Sequence, residues 1–168
     1  LIGLNEPEKR WVLKNPSHLF ALDALFDTYP DALVIQCHRP AETILASMCS
    51  LAQHTTQGWS NSFTGATIGA DALETWSRGL ERFNAVRATK NPAQFYDCDY
   101  FDLIRDPLGT VANIYSHFGI ALTDEARAAI ARTDEESKQG PRAPKHTYAL
   151  SDYGLTEVEP LRRYHLIL

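Results

Sequence analysis

Four side chains have the types and spacing that chemistry on a small anion needs. Lys14 follows the apolar run Trp11-Val12-Leu13 and precedes Asn15-Pro16. A lysine there offers a compact ammonium with three donors. His18 comes four residues later, and an imidazole's near-neutral intrinsic pKa suits a proton acceptor. Arg39 begins the turn after a second apolar run, and Ser47 stands eight residues beyond it. A helix opening at Pro40 puts Ser47 about two turns in, on a face that can approach the anion held by Arg39. The guanidinium fork matches phosphate oxygens, and the hydroxyl adds a neutral donor. Singly, each residue has a plainer reading: a solvated lysine, a capping histidine, an arginine at a sheet edge, a serine facing a neighbouring helix.

The elements that must position these groups follow from patterning. Residues 11–13 form a short apolar run that reads as a buried strand, broken by Asn15-Pro16. Ser17 then caps a helix with Leu19, Leu22, Leu25 and Phe26 at helical spacing. Leu33 to Cys37 (LVIQC) is the clearest strand, bounded by Tyr29-Pro30-Asp31 and His38-Arg39-Pro40. A helix over about 41–54 follows, with Ile44, Leu45, Met48 and Leu51 on one face. The polar segment 55–66 reads as a loop. A long helix over about 67–88 carries the stripe Leu73, Trp76, Leu80, Phe83 and Val86. Residues 94–97 (QFYD) predict another strand, Pro107 starts a helix closed by Gly119, and Thr123-Asp124-Glu125 caps one to about 133. Residues 134–147 read as an exposed loop, and a last short helix is expected after Thr156. This order predicts one α/β domain over residues 1–168, a parallel sheet flanked by helices. Ligands of such sheets bind beyond the carboxyl ends of the strands. Lys14 and Arg39 each follow a predicted strand end.

Composition narrows the function class. The 168 residues are 44% apolar and 22% charged, ordinary for a globular chain with a real core. A net charge of −5 gives no broad basic field, which argues against general nucleic-acid binding. A small anion needs only a few local cations and amides. No apolar stretch approaches the roughly 20 residues that span a bilayer. Cys37, Cys49 and Cys98 show no paired spacing and read as buried free thiols of a reducing compartment, so a cytoplasmic location is expected. The six histidines are scattered, and no metal site is expected.

The combined order resembles a family. WVLKNPSHLFALDALFDTYPDALVIQCHRPAETILASMCSL is similar to the central segment of sulfotransferases that use 3′-phosphoadenosine 5′-phosphosulfate (PAPS), in particular the bacterial branch carrying W-x-L-K-[ST]-P-x-H. QFYDCDYFDLIRDPLGTVANIYSHFGIAL is similar to the family's Y-E-D-L…D-P…F-L-G scaffold segment. PKHTYALSDYGLT is similar to that branch's H-x-Y-S-L-x-D-F-G-L close. The resemblance implies a P-loop NTPase-like sulfotransferase fold, helix-rich here and incomplete at its N-terminus.

It also implies roles. Lys14 would face the transferring sulfuryl group and the bridging oxygen, and His18 would take the acceptor's proton. Arg39 and Ser47 would hold the donor's 3′-phosphate, with Arg142, Lys145 and His146 as further candidates for that phosphate. The donor would be PAPS and the product adenosine 3′,5′-bisphosphate, with no metal. The acceptor would be a hydroxyl or amine of a small molecule, lipid or glycan, and a homo-oligomer is compatible with this reading. No glycine- and serine-rich loop of the kind that cradles the donor's 5′ end precedes Trp11. That leaves a second reading open, a catalytically inactive fragment acting as a binding module. A P-loop kinase would need a Walker A segment and a magnesium-holding aspartate, and neither is evident.

Overall fold

The computed structural model describes residues 10–139 and 149–156. Its elements in chain order are α1 (Leu22–Thr28), β1 (Val34–His38), α2 (Ala41–Thr56), α3 (Ala66–Arg87), β2 (Phe95–Asp99), α4 (Tyr100–Arg105), α5 (Pro107–His117) and α6 (Asp124–Gln139). Short 3-10 turns cover Pro16–Phe20, Pro92–Gln94 and Leu150–Tyr153. β1 and β2 pair in parallel, from Val34 opposite Phe95 to His38 opposite Asp99. Parallel neighbours cannot be joined by a tight turn, and the crossover between them carries α2 and α3.

The strand expected at 11–13 is absent. Residues 10–15 carry no regular structure, and Trp11, Val12 and Leu13 are exposed. A strand exists only with a ladder partner. Among the described residues, the two strands of the sheet pair with each other and no other strand adjoins them. The chain instead enters the first 3-10 turn, whose cap is Asn15 rather than Ser17. The Asn15 side-chain oxygen accepts the Ser17 N–H at 3.0 Å. The helix expected from Ser17 onward is therefore split at Ala21 into that turn and α1.

Helix α3 organises the core. Its N-terminal half supplies Ile68 and Ala72 to a cluster with Leu45, Ala46 and Cys49 of α2 and with Leu150, Tyr153 and Leu155. Its C-terminal half supplies Phe83 to a second cluster with Leu22, Phe26 and Phe95. The face of α2 turned inward is smaller than the expected one. Leu45, Ala46, Cys49 and Ser50 are buried, while Leu51 is exposed. Small side chains let α2 lie close to α3.

Other boundaries moved. Helix α2 runs to Thr56, and the segment after it turns through Gly58 and Gly65, both at positive φ. Helix α4 was not expected; Asp99 caps it by accepting the N–H groups of Phe101 and Asp102. Helix α6 extends to Gln139 and so covers part of the expected loop. The helix expected after Thr156 lies outside the described residues.

Gly69 of α3 meets the Leu150–Tyr153 turn so closely that an added Cβ would lie 2.0 Å from the Tyr153 carbonyl oxygen. Helix propensity favours Gly69→Ala by about 1 kcal/mol. Overpacking against fixed backbone costs about 1–3 kcal/mol, so the substitution is expected to lower stability. Urea denaturation checks this, and an unshifted or raised midpoint would show that the contact is not needed.

Candidate functional site

Both strands end at the same edge of the sheet, and β1 is followed there by a side chain suited to an anion site. Arg39 comes after His38 at the end of β1 and is exposed. Its guanidinium carbon lies 4.4 Å from the centre of the Tyr100 ring, just past the end of β2. Among the described residues, no carboxylate pairs with Arg39. By contrast Arg82 binds Asp23, Arg87 binds Asp97 and Arg105 binds Asp102. The nearby Asp99 carboxylate is engaged as the α4 cap, at 2.7 Å from the Phe101 nitrogen. Helix α2 begins directly after Arg39-Pro40, so its unbonded N–H groups and positive dipole end stand at the same strand tip. In that first turn Glu42 carries an oxygen shielded from solvent, without a hydrogen-bond partner among the described residues. The helix dipole favours a carboxylate there.

The other expected residues lie on three different segments. Ser47 is half-buried, two turns into α2. Lys14 is exposed and sits on the irregular segment before the Asn15 cap, not at a strand end as expected, because residues 11–13 have no ladder. His18 is half-buried within the 3-10 turn. That turn packs on α3 through Phe20, whose ring lies 5.3 Å from that of Trp76. No hydrogen bond joins the side chains of Lys14, His18, Arg39 and Ser47 to one another. Arg142, Lys145 and His146 lie outside the described residues.

A second cluster fixes the strand tips, and sequence reasoning missed it. Arg87, at the end of α3, donates to both Asp97 oxygens at 2.7 and 2.6 Å and to Gln36 Oε1 at 2.7 Å. His38 Nε2 lies 2.7 Å from Asp97 Oδ1. The Arg87 hydrogen bonds hold the Asp97 carboxyl well below its usual range, down to about 2; burial opposes this and His38 assists it. Asp97 in turn raises the Arg87 pKa. The available signal was polar alternation inside apolar strands, with Gln36, His38 and Asp97 all on one face.

The thiols differ from expectation at one position. Cys49 and Cys98 are buried, and burial pushes Cys49 up to about 11. Cys37, opposite Cys98, is exposed because the β1 face bearing Ile35 and Cys37 lies open. Trp59 is 90% exposed, and an apolar cleft of about 250 Å³ lies between α2 and α3, lined by Met48, Leu51, Thr55, Ile68, Asp71 and Trp76.

The sulfotransferase family model matches residues 3–124. The chain belongs to the sulfotransferase family. Two mycobacterial sulfotransferases named for omega-hydroxy-beta-dihydromenaquinone-9, the Stf3 proteins of Mycobacterium bovis and Mycobacterium tuberculosis, are 29% identical to it over 115 residues, covering 67% of this chain and 29% of each relative. The crystal structure of sulfotransferase STF1 from Mycobacterium tuberculosis superposes with a TM-score of 0.84 at 66% identity, covering 98% of this chain and 41% of that one. Sulfotransferase STF9 from Mycobacterium avium gives 0.76 at 24% identity, over 93% of this chain and 40% of that one, a likeness of fold. The chain thus spans less than half the length of these sulfotransferases. Its helix-rich architecture around a small parallel sheet is the α/β sulfotransferase fold. Among the described residues no three His, Cys, Asp or Glu side chains group as a metal site, and no helix is long and apolar enough to cross a membrane.

The Asp97 cluster makes stability depend on pH with a definite sign. A carboxyl whose folded pKa is depressed stabilises fully above its ordinary value, near 3.8, and loses that contribution as pH falls toward about 2. Asp97→Asn is expected to be less stable than wild type at pH 7, with a gap that narrows as pH falls from about 4 toward 2. Urea denaturation across that window measures it, and a gap independent of pH would remove Asp97 as the titrating group.

Proposed function

We propose that this chain carries the 3′-phosphate-anchoring and sulfuryl-facing parts of a PAPS-dependent sulfotransferase. The transfer would run to a hydroxyl or amine of a small-molecule, lipid or glycan acceptor. The observation that carries this reading is Arg39, a guanidinium without a carboxylate partner among the described residues, standing at the strand tip beside the start of α2. That arrangement suits a dianionic phosphate, which arginine binds through paired N–H donors. Ser47 adds a hydroxyl from the same helix. Arg142, Lys145 and His146 are assigned to the same phosphate on the resemblance alone.

Sulfuryl transfer is an in-line displacement at sulfur. The acceptor oxygen bonds to sulfur as the bond to the bridging oxygen breaks, and the leaving group is adenosine 3′,5′-bisphosphate. Like phosphoryl transfer, it asks the protein to position reactants and neutralise charge. Lys14 would stabilise the charge growing on the bridging oxygen. His18 would accept the acceptor's proton. The relatives named for an omega-hydroxy compound support a hydroxyl acceptor, and the apolar cleft between α2 and α3 supports a hydrophobic one. No metal is needed in this scheme. A cytoplasmic protein with residues 1–168 in one domain, able to form homo-oligomers, fits the same reading.

One observation favours a second reading, a chain that binds the nucleotide without turnover. Lys14 is held by no ladder, and its segment is exposed. Sulfate transfer from PAPS by the wild-type chain decides between the two. In the active case Lys14→Ala is expected to lower turnover by far more than tenfold, with the circular dichroism spectrum unchanged. Activity within about tenfold, or about 1.4 kcal/mol, would remove its catalytic role. Arg39→Ala is expected to weaken adenosine 3′,5′-bisphosphate binding by roughly 10- to 100-fold, the loss of a charge-assisted hydrogen-bond pair. Calorimetry that gives an unchanged Kd would take Arg39 out of the site.

A further inference from the structure

The last pair of the ladder is His38 with Asp99. Continuing the register by one step brings Arg39 beside Tyr100, and there the guanidinium carbon lies over the ring, 4.4 Å from its centre. We propose that Tyr100 is a positioning residue for the anion site, holding the Arg39 guanidinium by cation–π contact so that its N–H groups stay free for phosphate. The proposal rests on the reading of Arg39 as a phosphate anchor.

The molecule contains its own comparison. Arg87 also lies over an aromatic ring, 5.0 Å from the centre of Phe95. Its N–H groups, however, are engaged by both oxygens of Asp97 and by Gln36. Arg87 is therefore a completed structural pair. Arg39 has the ring and, among the described residues, no carboxylate, with Asp99 engaged in capping α4. An aromatic ring attracts the cation without occupying the donors a carboxylate would take. It also limits the rotamers of an exposed, four-torsion side chain, so less freedom is lost when the anion arrives. Tyr100 can serve in this way because it is itself fixed. It is half-buried and opens α4 directly after the Asp99 cap.

The test is a double-mutant cycle on the full chain, read by calorimetry with adenosine 3′,5′-bisphosphate, with native circular dichroism required of every variant. Tyr100→Leu is expected to weaken binding about fourfold, the scale of an exposed cation–π contact. Tyr100→Phe, which keeps the ring, is expected to bind within about twofold of wild type. In the Arg39→Ala background, Tyr100→Leu is expected to change Kd by less than about twofold, because its effect passes through Arg39. The same fourfold loss in both backgrounds would mean that the ring touches the ligand itself and would overturn the positioning role. So would an unaffected Tyr100→Leu variant, or a Tyr100→Phe variant as weak as the leucine. An Arg39→Ala variant that binds like wild type is a separate failure, that of the parent reading.

Discussion

Parallel pairing is the constraint from which the site follows. Two parallel strands finish at the same edge, so whatever comes next in each strand is delivered to one place. In this chain the ladder ends at His38 and Asp99, and the next residues are Arg39 and Tyr100. Had the strands been antiparallel, these two would stand at opposite ends. The same geometry demands a long crossover, and α2 and α3 provide it. Helix α2 starts at the strand tip and aims its positive end there, while α3 returns beneath the sheet and buries Phe83 against Phe95. The proposed anion site and the core are thus two consequences of one connection.

A two-stranded sheet is marginal by itself, so the register must be held from outside. Arg87 does this by reaching from α3 to Gln36 on β1 and Asp97 on β2 at once. Gln94 adds bonds to the carbonyls of Pro30 and Ala32 in the segment that leads into β1. A slip of one residue would reverse which face each side chain occupies. It would also part Arg39 from Tyr100. The Arg87 cluster is therefore tied to the contact between Arg39 and Tyr100, and so to the proposed anion site, without needing to touch a ligand. The chain's net negative charge is no obstacle to this, because the relevant field is local. It comes from the Arg39 guanidinium, which has no carboxylate partner among the described residues, and from the helix end that follows it.

What could be read in the sequence divides along a physical line. The LVIQC strand, the long helix and Pro107 as a helix start were legible, because each depends on local period and local breakers. The helix linking Arg39 to Ser47 was legible from Pro40 onward. Trp11-Val12-Leu13 looked as strand-like as LVIQC. It is not a strand, because pairing is a property of two segments and only one was in view. Arg87 and Asp97 were not legible for a related reason. They are ten residues apart, yet they meet because a helix end folds back on a strand, and no periodic pattern records that. Asp99 was hidden in the acidic run around it, and only the fold shows it capping α4.

The two halves of the proposed chemistry are held by different means. Arg39 depends on a ladder, a helix start and a ring. Lys14 and His18 depend on a short 3-10 turn, the Asn15 cap and the seating of Phe20 against Gly79 and Trp76. A Cβ at position 79 would come within 2.4 Å of the Phe20 ring, so that glycine sets how closely the turn approaches α3. Anchoring and transfer can therefore fail independently. A disturbance of the turn would move the lysine and histidine while leaving the strand tips in place. A disturbance of the Arg87 cluster would do the reverse. In the proposed scheme nucleotide affinity and turnover separate along that division, since among the described residues no hydrogen bond joins the side chains of Lys14 and His18 to those of Arg39 and Ser47.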